Sequence, residues 1–379
     1  MESPTDERLG ELVARAAADV GPDGLPSCQL AVAQDGRILL DTTIGGPSTT
    51  RYVVFSVTKA LTASAVWLLV QDGRLRPDTS VAEVVGGFGA NGKEAVTVEH
   101  LLTHTAGFPD AEITHEQWAS PNDRLAVFAS WRAQWEPGSR FEYHGRSASW
   151  VLAHLIEVVT GQDFRDFVRG EVLDPLGMHN TTLGTLADGG SEQYLADLRC
   201  ADLREAGEGP DEDAAAALGL DISAIGVDLA SLLDHADPSF RAVGQPAGGA
   251  ISTAADLTTF YQALLGNIDG PWSSDILAMG TAEIRCAMAD PMTSVAANRT
   301  LGLVVAGDDG HAMMRGLGRS VSPAAFGHMG AGGQVAWADP ATGLSFAYLT
   351  NGLDRDPVRL GVRSDALSTA AGRTNDRIR

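Results

Sequence analysis

The sequence predicts an α+β sandwich: an antiparallel sheet assembled from the N- and C-terminal segments, flanked by helices, with a mostly helical domain inserted between them. Three observations carry this. "CQLAVAQDGRILLDTTIGG" and "QVAWADPATGLSFAYLTN" alternate apolar residues around turn residues, as hairpins do, and they lie near opposite ends of the 379 residues. From about residue 98 to 240 the apolar residues recur mainly at three and four, the period of a helix. Strands at both ends of a helical middle place residues 1–97 and 241–379 in one sheet domain and 98–240 in an insertion, the whole forming a single unit.

Taken in order, "MESPTDERLGELVARAAADV" is an amphipathic helix, and the first hairpin turns at Asp35-Gly36. "RYVVFSVTKALTASAVWLLVQDGRL" reads as a long apolar helix stopped by Gly73. "LRPDTSVAEVVGGF" and "VTVEHLLTHTAGF" add turn-rich and helical pieces, and "SASWVLAHLIEVVTGQDFRDFVRGEVLDPLGM" is helical throughout. Residues 197–247 are acidic, rich in Ala and Gly and weakly patterned, which predicts a mobile loop with short helices. "ISTAADLTTFYQALLGN" is a helix capped by Ser252 or Thr253. "LGLVVAG" is a strand, the last hairpin turns at Asp339-Pro340 and Gly343, and "ALSTAAGRTNDRIR" is a final helix with frayed ends.

Composition narrows the function. A formal charge of −22 and a pI near 4.6 repel phosphate backbones and anionic lipid, so nucleic acid and membrane surfaces are excluded as partners. The N-terminus has acids where a signal peptide has basic residues, and no run approaches the ~18 apolar residues of a spanning helix, which predicts a cytoplasmic protein. Cys28, Cys200 and Cys286 lack CxxC spacing and read as buried thiols. No phosphate loop, dinucleotide fingerprint or metal-ligand spacing appears, and neither a cofactor nor a metal is expected; His311, Asp308 and Asp309 in "GDDGHAMM" read as a surface loop.

Lys59 follows Ser56 by three residues at the head of the apolar helix, and the chain's only other lysine is Lys93. Side chains at i and i+3 share a helix face. There the serine meets unpaired backbone N–H groups and the positive end of the helix dipole, which favour an alkoxide or oxyanion. A lysine in apolar surroundings loses part of its basicity to desolvation and can serve as a neutral base. Together they make a nucleophile of an otherwise weakly acidic hydroxyl.

"FSVTK", "LLTHTAGFP", "IEVVTGQDF", "LDPLGM" and "GGAISTAADLTTFYQALL" resemble, in order and spacing, the phrases of the serine β-lactamase and penicillin-binding-protein superfamily, in particular the class C β-lactamase-like esterases called family VIII carboxylesterases. The resemblance spans roughly residues 10–355 and implies a β-lactamase/transpeptidase-like fold. The family's second motif, Tyr-x-Asn, corresponds to Tyr143-His144-Gly145: the tyrosine is present and implies a general base, whereas glycine offers no amide to a peptide or lactam. The third, Lys-Thr-Gly in lactamases, corresponds to His328-Met329-Gly330, with histidine as in the esterase-like members. By this resemblance His328 bonds to the tyrosine or the substrate, passes a proton and titrates near neutrality. Gly145, Met329 and Gly330 border the substrate, and the Ala331 and Ser56 N–H groups form the oxyanion hole. His104 reads as structural, while Trp118 and Trp135 pack the helical region or border the acyl pocket.

The expected activity is hydrolysis of a short- or medium-chain ester, or of a lactone, through an acyl-enzyme on Ser56. A β-lactamase or D-Ala-D-Ala-type peptidase, an acyltransferase using the same intermediate, and a catalytically silent binding protein are the alternatives.

Overall fold

The computed structural model describes residues 4–184, 200–210 and 229–375. Its main sheet has six strands in the order β2-β1-β10-β9-β8-β7. These are β1 (Cys28–Gln34), β2 (Arg37–Ile44), β7 (Val304–Val305), β8 (Phe326–Gly330), β9 (Gln334–Asp339) and β10 (Leu344–Thr350). All neighbours are antiparallel, and β1 is joined to β10 in the register Cys28↔Thr350. Both ends of the chain therefore meet in the centre of the sheet. The first hairpin turns where expected, with Asp35 and Gly36 at φ 49° and 80°, the left-handed pair that suits the twist of adjoining strands. The strand expected at "LGLVVAG" shrinks to the two residues of β7.

The two-residue period of the strands sorts their side chains into two cores. Leu30, Val32, Val335, Trp337, Phe346 and Tyr348 face the terminal helices Pro4–Ala17 and Pro357–Gly372, packing with Leu9, Leu12, Leu367 and Ala371. Ala31, Ala336, Ala338 and Ala347 face the other way, where their small size lets the helix Ala254–Leu264 lie close with Leu257, Phe260 and Tyr261. Each large side chain so buried contributes about 1.5–3 kcal/mol. Trp337 Nε1 also donates to Ser368 Oγ at 2.6 Å, tying the last helix to β9. That helix begins at Pro357, well before the expected tail, and residues 376–379 lie outside the described part.

The helix Thr58–Gln71 is apolar all round because it is surrounded: every residue from Thr58 to Leu69 is buried. Within residues 98–240 the helices include Val98–Leu102, His115–Ala119, Pro121–Ser130, Ser147–Thr160 and Phe164–Val168. Two small sheets have no counterpart in the sequence pattern. Strand β3 (Tyr52–Val53) pairs with β6 (Ala250–Ser252), which also pairs with β4 (Thr182–Leu183). Strand β5 (Arg204–Ala206) runs parallel to β11 (Gly352–Asp354). Thus the stretch read as a loop over 197–247 contains a strand, and then short helices at Leu229–Leu233 and Pro238–Val243; 197–199 and 211–228 lie outside the described residues. Thr253, not Ser252, caps the helix Ala254–Leu264, accepting from the Asp256 N–H at 3.2 Å, because Ser252 belongs to β6. Cys28 and Cys286 are buried free thiols and Cys200 is half-buried. No helix among the described residues is long and apolar enough to cross a membrane.

Candidate active site

Ser56 lies in a short 3₁₀ turn, Phe55–Val57, between β3 and the helix Thr58–Gln71. From Tyr52 to Leu69 it is the only residue that is not buried. The turn is held from below: the Val54 N–H donates to Ala250 O at 2.9 Å, the Ala250 N–H donates to Thr58 Oγ1 at 3.0 Å, and Thr62 Oγ1 donates to Pro246 O at 2.8 Å. Phe55 carries φ 44°, a costly conformation for a residue with a side chain, and its buried ring meets His235 edge-on at 5.1 Å. Strained backbone next to a lone accessible hydroxyl is what a presented nucleophile requires.

Lys59 Nζ donates to Ser56 Oγ at 3.2 Å, to Gly145 O at 2.8 Å and to Ala247 O at 3.1 Å, and lies 5.0 Å from the centre of the Tyr143 ring. The two carbonyls take two of its hydrogens, so its remaining position, proton or lone pair, faces Ser56 and Tyr143. Burial lowers the basicity of Lys59, against the pull of the Tyr143 phenol. For Tyr143, burial alone pushes the phenol up; the charges of Lys59 and Arg299, with hydrogen bonds from Lys59 and Ser56, outweigh it and leave the group below its ordinary value of 10.0.

His328 reaches the site on β8. Its Nε2 accepts from Arg299 Nη1 at 3.3 Å and its Nδ1 donates to Met329 O at 2.6 Å, so both ring nitrogens are engaged. Burial, then the charges of Arg299 and Lys59, hold it well below 6.5. With Nε2 accepting from Arg299 and Nδ1 donating to Met329 O, the ring lies 6.2 Å centre to centre from that of Tyr143, and the expected proton transfer through His328 would require one of these two bonds to open. Met329, beside it, is exposed, and Gly330 is half-buried. A Cβ at Gly330 would fall 2.4 Å from Val54 O, so only glycine lets β8 pass this close to the segment that presents Ser56. That approach brings Ala331 into contact with the cluster of Val53 and Phe55. Around a Cβ placed at Gly145 there is open space to 4 Å.

The structure thus brings Ser56, Lys59, Tyr143 and Gly145 together through Lys59, with His328 beside Tyr143 and the Met329–Ala331 segment passing close to the turn of Ser56. It adds residues that sequence inspection missed. Ala247 supplies a carbonyl through backbone alone, which leaves no mark in residue identity. Arg299 is one arginine among many, and nothing in "NRTLGLVV" sets it apart. His104 lies ring to ring with Tyr143 at 4.6 Å, and its Nδ1 accepts from the His144 N–H at 3.3 Å. Trp118 stacks at 4.3 Å on Trp150 in the helical core, while Trp135 packs against His144. In the "GDDGHAMM" loop, Asp309 pairs with Arg315 at 2.5 Å.

Four of the buried histidines, His104, His144, His235 and His328, predict an acid-sensitive fold. Burial is the leading cause in each case: His104 and His328 are held well below 6.5, and His144 and His235 at about 4. Folded-state values below the unfolded one mean that the unfolded chain binds more protons as the pH falls, so their stabilisation is full above about pH 6.5 and is progressively lost below it. The urea midpoint is expected to drop steeply between about pH 6.5 and pH 5. His235→Leu, which removes one of the four while leaving the Lys59 hydrogen bonds in place, is expected to flatten that pH dependence. A midpoint constant over this range would contradict neutral burial.

Comparison with known proteins identifies the family and the fold. A family model described as Beta-lactamase covers residues 13–370. The chain is similar to the esterase/beta-lactamase LipL of Mycobacterium tuberculosis, 28% identical over 362 residues that span 86% of this chain and 76% of that protein. A penicillin-binding-protein homolog from Caulobacter crescentus has the same fold, with a TM-score of 0.77 at 26% identity over 97% of this chain and 98% of that one. A family VIII carboxylesterase shares the fold with a TM-score of 0.75 at 23% identity, covering 98% of each chain.

Proposed function

The chain belongs to the Beta-lactamase family and is a serine hydrolase; from that premise we propose that it hydrolyses carboxylic esters of short or medium acyl groups, or lactones, through an acyl-enzyme on Ser56. The observation that carries the proposal is the accessible Ser56 hydroxyl, set 3.2 Å from a buried Lys59 that in turn lies 5.0 Å from the centre of the Tyr143 ring.

Ser56 Oγ attacks the ester carbonyl while its proton passes to the Tyr143 phenolate, whose charge Lys59 balances. The Ser56 and Ala331 N–H groups receive the oxyanion. Collapse breaks the bond to the alcohol, which leaves with the proton from Tyr143. Water then attacks the acyl-serine with Tyr143 as base again, releasing the acid and restoring the hydroxyl. His328 stands outside this path as a neutral support, and Met329 and Gly330 border the leaving group or acyl chain. At Gly145 the cleft offers open space and no amide, which favours an ester over a peptide or lactam.

The test is initial-rate hydrolysis of p-nitrophenyl acetate, butyrate and octanoate beside a chromogenic cephalosporin. With no amide at position 145 to hold the lactam, the best ester is expected to exceed the cephalosporin in kcat/KM by at least about a hundredfold. Comparable rates on the cephalosporin would put lactam hydrolysis first. A fluorophosphonate should label the peptide that contains Ser56, read by mass spectrometry.

A further inference from the structure

We propose that Arg299 is a positioning residue for the Ser56 chemistry: its guanidinium stabilises negative charge on Tyr143 and holds His328 as a neutral acceptor, supplying from a different element the positive charge that a lysine at position 328 would have brought. This rests on the role given to Tyr143 above.

Arg299 is buried, and its backbone is fixed on two sides: its N–H donates to Cys286 O at 2.8 Å, and its carbonyl accepts from the Arg285 and Cys286 N–H groups at 2.7 and 3.1 Å. The guanidinium carbon lies 5.4 Å from the centre of the Tyr143 ring and 5.7 Å from that of Phe141, while Nη1 donates to His328 Nε2. Its Nε has no hydrogen-bond partner. Among the described residues no carboxylate comes within ion-pair distance of it, and Asp290 and Cys286 are the acidic groups near enough to act on it besides Tyr143 itself. An unpaired buried guanidinium is expensive, and it stays charged because arginine does not deprotonate in proteins. The anion that repays this desolvation is the phenolate of Tyr143.

Every titratable or charged group facing Tyr143 agrees with this. Lys59 and Ser56 come from the nucleophile's turn and helix, His104 from the segment after Val98–Leu102, His328 from β8, and Cys286 with Ala297 from the strand-like pairing that carries Arg299. The two histidines are neutral and Cys286 is a thiol raised by burial, so Lys59 and Arg299 are the two cations. Arg146, which also acts on Lys59, is exposed and pairs with Glu112 at 2.9 Å.

The experiment follows the rate of Ser56 phosphonylation by a fluorophosphonate against pH, together with kcat/KM on p-nitrophenyl butyrate. In phosphonylation the Oγ–P bond forms, the P–F bond breaks with loss of fluoride, and the serine proton goes to Tyr143. Removing a cation near Tyr143 and Lys59 raises the pKa of both, so whichever limits the ascending limb, the limb moves to higher pH. Arg299→Gln, which keeps a donor for His328, and Arg299→Met are each expected to move it up by about one pH unit or more, with the rate recovered at alkaline pH. Arg299→Lys should return the limb toward the wild-type position. Two charge-removing variants guard against one failing to fold, and circular dichroism checks each. An unmoved limb, or an equal loss at all pH values, overturns the proposal and leaves Arg299 a structural or substrate-anchoring residue. A wild-type protein inert to both the probe and the esters overturns the Ser56 reading as well.

Discussion

Ser56→Ala is expected to lower kcat/KM for p-nitrophenyl butyrate by at least about 10⁴-fold, to the level of the free solution reaction plus whatever binding alone provides. The size follows from the cleft: among the residues from Tyr52 to Leu69 no other side chain is accessible, so no neighbouring hydroxyl, such as that of the fully buried Thr58 or Thr62, can take over the attack. Stability should change little. The Ser56 hydroxyl accepts from Lys59, which keeps the Gly145 and Ala247 carbonyls as partners when the oxygen is removed. Thermal unfolding of the variant alongside its kinetics separates the two effects. A folded Ser56→Ala protein that retained ester turnover would end the acyl-enzyme proposal.

Tyr143→Phe is expected to reduce kcat/KM by about 10³-fold, the usual worth of a positioned acid–base group. The phenyl ring keeps its packing against His104, so the loss reports the hydroxyl alone. Its signature lies in the pH profile. In the wild type the ascending limb belongs to the coupled Tyr143 and Lys59 pair and should sit well below the ordinary tyrosine value of about 10, since activity rises as the base loses its proton. In Tyr143→Phe the remaining rate should lack that limb or show one set by Lys59. A full-activity variant with an unchanged profile would assign the base role to Lys59 alone.

The parts of the fold that local pattern encodes were legible in advance. Asp35-Gly36 turns a hairpin because those two residue types tolerate the left-handed backbone. The alternation in β9 and β10 survives as two chemically distinct faces, large side chains toward the terminal helices and alanines toward the helix Ala254–Leu264. The short strands β3, β4, β5, β6 and β11 were invisible because two or three residues carry no period; tertiary pairing alone makes them strands.

Within the site the same division holds. By itself the sequence determined that Ser56 and Lys59 stand one turn apart at the head of an apolar helix; that Tyr143, His328 and the glycines after it join them, and that an amide is missing at Gly145, was implied by the resemblance to the family. The first is a matter of short spacing, which the helical turn converts directly into geometry. Only the tertiary structure decided which atoms hold Lys59, through the carbonyls of Gly145 and Ala247, residues 86 and 188 positions away. It also decided that His328 accepts from Arg299, and that Arg299 stands over Tyr143 at all. The reason is that ionisation depends on burial and on the charges gathered within a few ångströms, and both are set by which distant elements the fold packs together.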